Sequence, residues 1–274
     1  MTAETNVTEA TATDRAGTNA PGFLATFSAE WTKLTSVRST YVIVLLTIVL
    51  AIGMTALVAL ATGSTWDDWN ANNREQFDPV LFSAFGAIFT GILLTVLGVL
   101  SFGSEYSSGM IRLTFTVTSR RWRVLIAKAI AIAIITWVTA TVATVGMYLV
   151  GQAVLEAFDM PTVAISESDG LRTVLALSLT APFFPIIGLA LAVLMRNTAG
   201  AITTALALFF LPAIFGGLLP TWWQENVLAF NPTSASDALA FGHLDDSAMY
   251  LDAPLAAVVV VAWFVIFMGA AHIT

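Results

Sequence analysis

Six stretches of this 274-residue chain are each apolar over roughly twenty residues, and nothing else in the sequence limits the fold as much. A helix needs about 20 such residues to cross the hydrocarbon of a bilayer. The stretches cover 41–61, 80–102, 124–154, 171–195, 199–219 and 254–271. Only 11% of the residues are charged, against about 25% in soluble domains. That is too little charge to cover the surface of a soluble fold of this size, so lipid is the expected solvent. The reading is an all-α membrane protein with six transmembrane helices.

The spans differ in regularity. The third is long enough to project beyond the bilayer. Pro182 and Pro185 remove backbone donors from the fourth and predict a bend there. Pro212 and Gly216-Gly217 predict an irregular end to the fifth. No Asp, Glu, Lys or Arg is expected deep in a span, which argues against an ion-coupled carrier or channel.

Charge sets the expected orientation. Of eleven Lys and Arg residues, nine fall on one side of the predicted spans: Arg15, Lys33, Arg38, Arg112, Arg120, Arg121, Arg123, Lys128 and Arg196. Only Arg74 and Arg172 fall on the other. The positive-inside rule then puts both termini in the cytoplasm. Thirteen of the eighteen acids fall in the predicted outer loops. Six of eight tryptophans fall at the predicted boundaries, where aromatic belts lie; Trp137 and Trp263 are inside spans.

Several classes of chemistry are excluded or disfavoured. There is no cysteine, so disulfides and thiolate sites are ruled out. The two histidines, His243 and His272, flank the last span, which disfavours a histidine metal site. An intramembrane enzyme needs convergent His, Asp or Glu within its spans, and none converge. No basic cluster has the aromatic interleaving of a nucleic-acid groove. The Gly-x-x-x-x-Gly-Lys-Ser/Thr phosphate loop is absent, so the chain is not expected to bind ATP or any other cofactor.

Two segments beside the spans stand out. Residues 1–20 read as a disordered tail, followed by a transmembrane domain over 21–274. Within 23–37, Phe23, Phe27, Trp31 and Leu34 recur at helical spacing with Glu30 and Lys33 off that face. This predicts an amphipathic helix in the inner interface before span one. The connection 103–123 is longer than the 2–8 residues of an ordinary helix–helix link. It carries Met110, Ile111, Leu113 and Phe115, then a basic end suited to anionic lipid.

The run Ala29-Glu30-Trp31-Thr32-Lys33-Leu34, followed by Ser36-Val37-Arg38-Ser39-Thr40, resembles the start of actinobacterial ABC-2 type transporter permeases. Glu105-Tyr106-Ser107-Ser108-Gly109-Met110-Ile111-Arg112 and Arg120-Arg121-Trp122-Arg123-Val124-Leu125 with Lys128 resemble that family's pattern between its second and third helices. Ser119 stands where the family often has proline. The resemblance implies a type V-like transmembrane domain with 23–37 as an elbow helix. It implies a coupling segment over 103–119 that docks on a separate ATP-binding subunit through Glu105, Tyr106, Gly109, Met110, Ile111, Arg112, Leu113 and Phe115. The implied assembly has two ATPase copies holding ATP and Mg, with a second permease, in a bacterial cell membrane. An inner polar relay is expected in which Glu105 pairs with Arg121 or Arg123, or with Lys33 or Arg38.

For cargo, hydroxyls and small residues on spans two and three read first as helix packing. A cavity lined by Phe85, Phe89, Thr136, Thr139, Phe209 and Phe210 is the second reading, suited to hydrophobic or amphipathic molecules. The 220–252 segment is expected to form an outer lid with a short helix at 234–241. The competing function is a membrane scaffold or immunity protein without a transport cycle.

Overall fold

The computed structural model describes residues 22–107, 121–241 and 249–273. The expected tail over 1–20 lies outside them. All regular structure among the described residues is helical. The helices are α1 (Phe23–Ser36), α2 (Arg38–Gly63), α3 (Ala71–Glu75), α4 (Pro79–Ser83), α5 (Ala87–Ser107) and α6 (Arg121–Ala157). There follow α7 (Ser168–Thr180), α8 (Phe183–Met195), α9 (Thr198–Phe215), α10 (Thr221–Asn226), α11 (Pro232–Ala240) and α12 (Ala253–Ile273).

Among the described residues, five helical stretches are long and apolar enough to cross a membrane: α2, α5, α6, α12 and the consecutive pair α7–α8. The apolar part of α9, Thr198–Pro212, is shorter. At 1.5 Å per residue the 37 residues of α6 extend about 55 Å, well past a 30 Å hydrocarbon core.

Each interruption has a local cause. The apolar run that begins at Val80 is not one helix. Asp78 caps α4, its carboxylate accepting from the amides of Val80 and Leu81, with Pro79 in the first turn. The chain then turns through Ala84–Gly86 before α5 begins. Gly86 lies so close to α2 that a Cβ there would collide with the carbonyl of Ala51. Its amide donates to Thr55 Oγ1 of α2 at 2.9 Å. Between α7 and α8 the helix breaks at Ala181–Pro182. Arg196 ends α8 in the left-handed region, at φ 51°. Asn197 then caps α9 through the amide of Gly200.

The bundle is built around α8. Ten of its thirteen residues are buried, between α5, α9 and α12. The α5–α8 contact is close enough that a Cβ on Gly98 would strike the backbone of Pro185. Small residues permit such approaches between membrane helices, where dispersion drives association. Ile132, Ile187, Leu189 and Phe209 are fully or almost fully buried in the largest apolar cluster. By contrast, α12 presents most of its surface outward.

The segment after α9 returns into the bundle. Pro212 has no amide to donate to the carbonyl of Leu208 four residues earlier. Asn231 Nδ2 donates to that carbonyl instead, at 2.8 Å. Thr233 Oγ1 donates to the next one, Phe209, at 3.2 Å. Asn231 also caps α11 by accepting from Thr233 N. At the other end of α11, Arg172 donates to the carbonyls of Leu239 and Ala238, and Thr173 to that of Ala240. The short α11 is therefore fixed at both ends and packs against α7, α9 and α12. Trp263, inside α12, turns its indole N–H to Phe230 just ahead of α11, at 2.8 Å.

This arrangement predicts a non-additive pair. Asn231→Leu leaves the Leu208 carbonyl without a donor, which should cost roughly 1–3 kcal/mol. In a Pro212→Ala background the restored amide serves that carbonyl, so the same change should cost measurably less. Unfolding midpoints of the four proteins in one detergent check this, and equal losses in both backgrounds would disprove it.

Candidate functional site

Two features of the bundle carry groups that simple packing does not explain. One is a cluster of four charges where α1, the end of α5 and the start of α6 meet. The other is a cavity in the opposite half of the bundle.

The cluster joins Glu30 and Lys33 of α1, Glu105 of α5 and Lys128 of α6. Lys128 Nζ lies 2.5 Å from Glu30 Oε2 and 2.8 Å from Glu105 Oε1. Lys33 Nζ lies 2.6 Å from Glu30 Oε1 and 3.5 Å from Glu105 Oε1. A third acceptor for Lys128 is the Ser101 carbonyl at 3.1 Å, and the Phe102 ring lies 5.7 Å from its ammonium. Among these four side chains, two anions meet two cations. That balance permits burial, because an isolated ion out of water is costly. Lys128 is 1% exposed, Glu30 2% and Glu105 7%.

The sequence positions explain how the four meet. Glu30 falls four residues after Thr26 and four before Leu34, and these three form the buried stripe of α1. The expectation that Glu30 would sit off the packed face is corrected: it faces α6, because Lys128 there supplies its counter-charge. Lys33, one turn on, stays 37% exposed at its side chain. Burial alone disfavours its charged form. The hydrogen bond and charge of Glu30, with the charge of Glu105, outweigh that, so its pKa is raised. The stabilisation from charged Lys33 thus persists through neutral and mildly alkaline pH. It is lost only as pH rises through the raised folded value.

Of the partners expected for Glu105, Lys33 is brought within 3.5 Å. Arg38 is exposed, and Arg123 lies over the ring of Trp122 at 5.6 Å. The side chains of Tyr106 and Arg121 are outside the described part, as are Gly109, Met110, Ile111, Arg112, Leu113 and Phe115. Lys128 and Glu30 were not among the expected partners. Lys128 was read as an orienting positive charge and as the last residue of the family pattern, without a partner assigned to it.

The cavity has a volume of about 430 Å³ and lies between α5, α7, α9 and α11. Phe85, Phe209 and Phe210 line it, together with Phe184 and Phe241. Phe89, Thr136 and Thr139 do not. Thr136 and Thr139 are buried, and their hydroxyls donate to the carbonyls of Ile132 and Ile135 in their own helix. Half of the polar side chains in the lining come from α11: Thr233, Ser236 and Asp237, beside Thr90, Thr144 and Thr180. Asp237 had been read as a loop acid. Because α11 is held against the Leu208–Phe209 turn of α9, this acid instead borders an apolar chamber.

A sequence profile of the family described as ABC-2 family transporter protein matches residues 25–273. Comparison with curated proteins gives no match.

Charge removal tests the cluster. Lys128→Met removes the buried ammonium that Glu30 and Glu105 share, and should destabilise the protein by roughly 3–5 kcal/mol. Adding Glu105→Gln should recover part of that loss. Lys33→Met should cost about 1 kcal/mol or less, because its ammonium is partly hydrated. Thermal unfolding of the purified protein orders these variants; a Lys33 effect as large as the Lys128 effect would refute the scheme.

Proposed function

Since this chain belongs to the ABC-2 transporter family, we propose that it is the permease subunit of an ABC exporter for hydrophobic or amphipathic molecules. It is a multi-pass membrane protein of a family of transport components. A family of this kind works with an ATP-binding subunit, and ATP and Mg are held there rather than by this chain. In this reading two ATPase copies and a second permease complete the complex. The membrane is the bacterial cell membrane, with both termini in the cytoplasm by the Lys/Arg bias.

The observation that carries the reading is the four-charge cluster. It ties α1, the last turns of α5 and the first turns of α6 at one place, and residues 108–120 join those two helices in the sequence. A partner pressing on that link acts directly on Glu105 and, through Lys128 and Lys33, on α1. In this scheme α1 is the elbow helix in the inner interface, and α9 serves as the fifth of six spans. Tyr106, Gly109, Met110, Ile111, Arg112, Leu113 and Phe115 form the docking surface, and Glu105 with Lys33 and Lys128 forms the relay. The phenylalanine-lined cavity suits an apolar cargo.

Affinity purification of the tagged chain from its native host in mild detergent tests this. A co-purifying ATPase should be found, and replacing Met110, Ile111 and Phe115 by Ser should release it without unfolding the permease. Glu105→Gln should retain the ATPase but lower cargo-stimulated ATP hydrolysis several-fold. Absence of any ATPase from the wild-type preparation would favour the scaffold reading.

A further inference from the structure

We propose that the cavity between α5, α7, α9 and α11 binds amphipathic cations, with Asp237 as their counter-ion. As a description of cargo this rests on the exporter reading; as a binding site it stands on the cavity alone.

Three observations support it. First, Asp237 borders a chamber whose other walls are mainly aliphatic and aromatic, yet it makes no ion pair among the described residues. Asp237 is itself exposed, so its carboxylate is open to a ligand, and an acid beside apolar walls favours a cationic one. Arg172, the cation that reaches α11, directs its donors to the carbonyls of Ala238 and Leu239 instead. Among the described residues, then, none provides the acid's counter-charge. Second, Ser236, 3% exposed, has a hydroxyl oxygen with no hydrogen-bond partner, and it also lines the chamber. Third, five phenylalanines surround the same space. Ring faces attract cations, most strongly where water is excluded.

Together these select a ligand class. The volume of about 430 Å³ lies within the range of about 300–1,000 Å³ that holds drug-sized molecules. Apolar walls suit a large hydrocarbon or aromatic body. One carboxylate suits one positive charge, and an anion of the same shape would meet Asp237 unfavourably. A neutral body would gain the apolar contacts but leave the acid unpaired.

The test uses two ions of nearly identical shape and opposite charge, tetraphenylphosphonium and tetraphenylborate. Each is titrated separately against the full chain in lipid nanodiscs, with empty nanodiscs subtracting partition into lipid. Saturable binding of the phosphonium and none of the borate is expected. Asp237→Asn should weaken phosphonium binding at least about tenfold, while Asp237→Glu retains it. Gly91→Leu supplies an independent arm. A Cβ at Gly91 meets nothing within 4 Å and the residue lines the cavity, so the added side chain fills the chamber and should abolish binding in a folded protein. Equal phosphonium affinity in wild type and Asp237→Asn, unchanged binding in Gly91→Leu, or equal affinity for the borate would each overturn the assignment. The assay needs no ATPase, so its failure leaves the exporter reading intact. A preparation that binds the cation but never acquires an ATPase would overturn that reading and leave the site.

Discussion

Inside a bilayer there is no water to receive a backbone carbonyl that its own helix leaves unpaired. The architecture beyond the simple spans follows from that constraint. Pro212 opens a gap in the ladder of α9 at Leu208, and Asn231 fills it. To do so the chain after α9 must come back into the bundle, which brings α11 with it. Arg172 and Thr173 then close the last carbonyls of α11 from α7. One missing amide thus accounts for a short helix held between three others, and α11 in turn supplies half of the polar side chains that line the cavity.

The charge cluster answers a different demand. Lys128 is almost completely buried, and in apolar surroundings its ammonium requires anions. Two are supplied from different helices, Glu30 from α1 and Glu105 from α5. A well-packed apolar substitute of similar volume could be as stable, because desolvating four charges offsets much of their attraction. What the ions add is a specific relative position. Leu34 could slide against α6 with little penalty, whereas Glu30 cannot leave Lys128 without exposing a bare charge to hydrocarbon.

The spans were legible because a run of twenty apolar residues has few alternatives to crossing or being buried. Breaks caused by proline, as at Pro182, were legible for the same covalent reason. The break at Ala84–Gly86 was not, since nothing local shows that Gly86 must fit against Ala51 of another helix. Glu30 was misread because amphipathic patterns treat charge as a marker of the wet face. Its counter-charge lies 98 positions away, and no periodicity reports such a pairing. Asp237 was counted with the acids of the outer segment, and the short helix expected at 234–241 carried no sign that it would border a cavity. Its position depends on the proline at 212, which sequence reasoning read as an irregular helix end without asking what would meet the freed carbonyl.

The two candidate sites share α5. Glu105 lies near one end of that helix, and Thr90, Gly91 and Leu94 face the cavity nearer the other. A helix of 21 residues extends about 30 Å, so a shift applied at Glu105 is transmitted along a single hydrogen-bonded rod. Gly98 sits between the two sites, against the backbone of Pro185 on α8. With no side chain between the two backbones, α5 is held closely there, as the chain just ahead of it is held at Gly86 against Ala51 of α2. The stretch of α5 that lines the cavity is therefore clamped on both sides, by α2 at Gly86 and by α8 at Gly98.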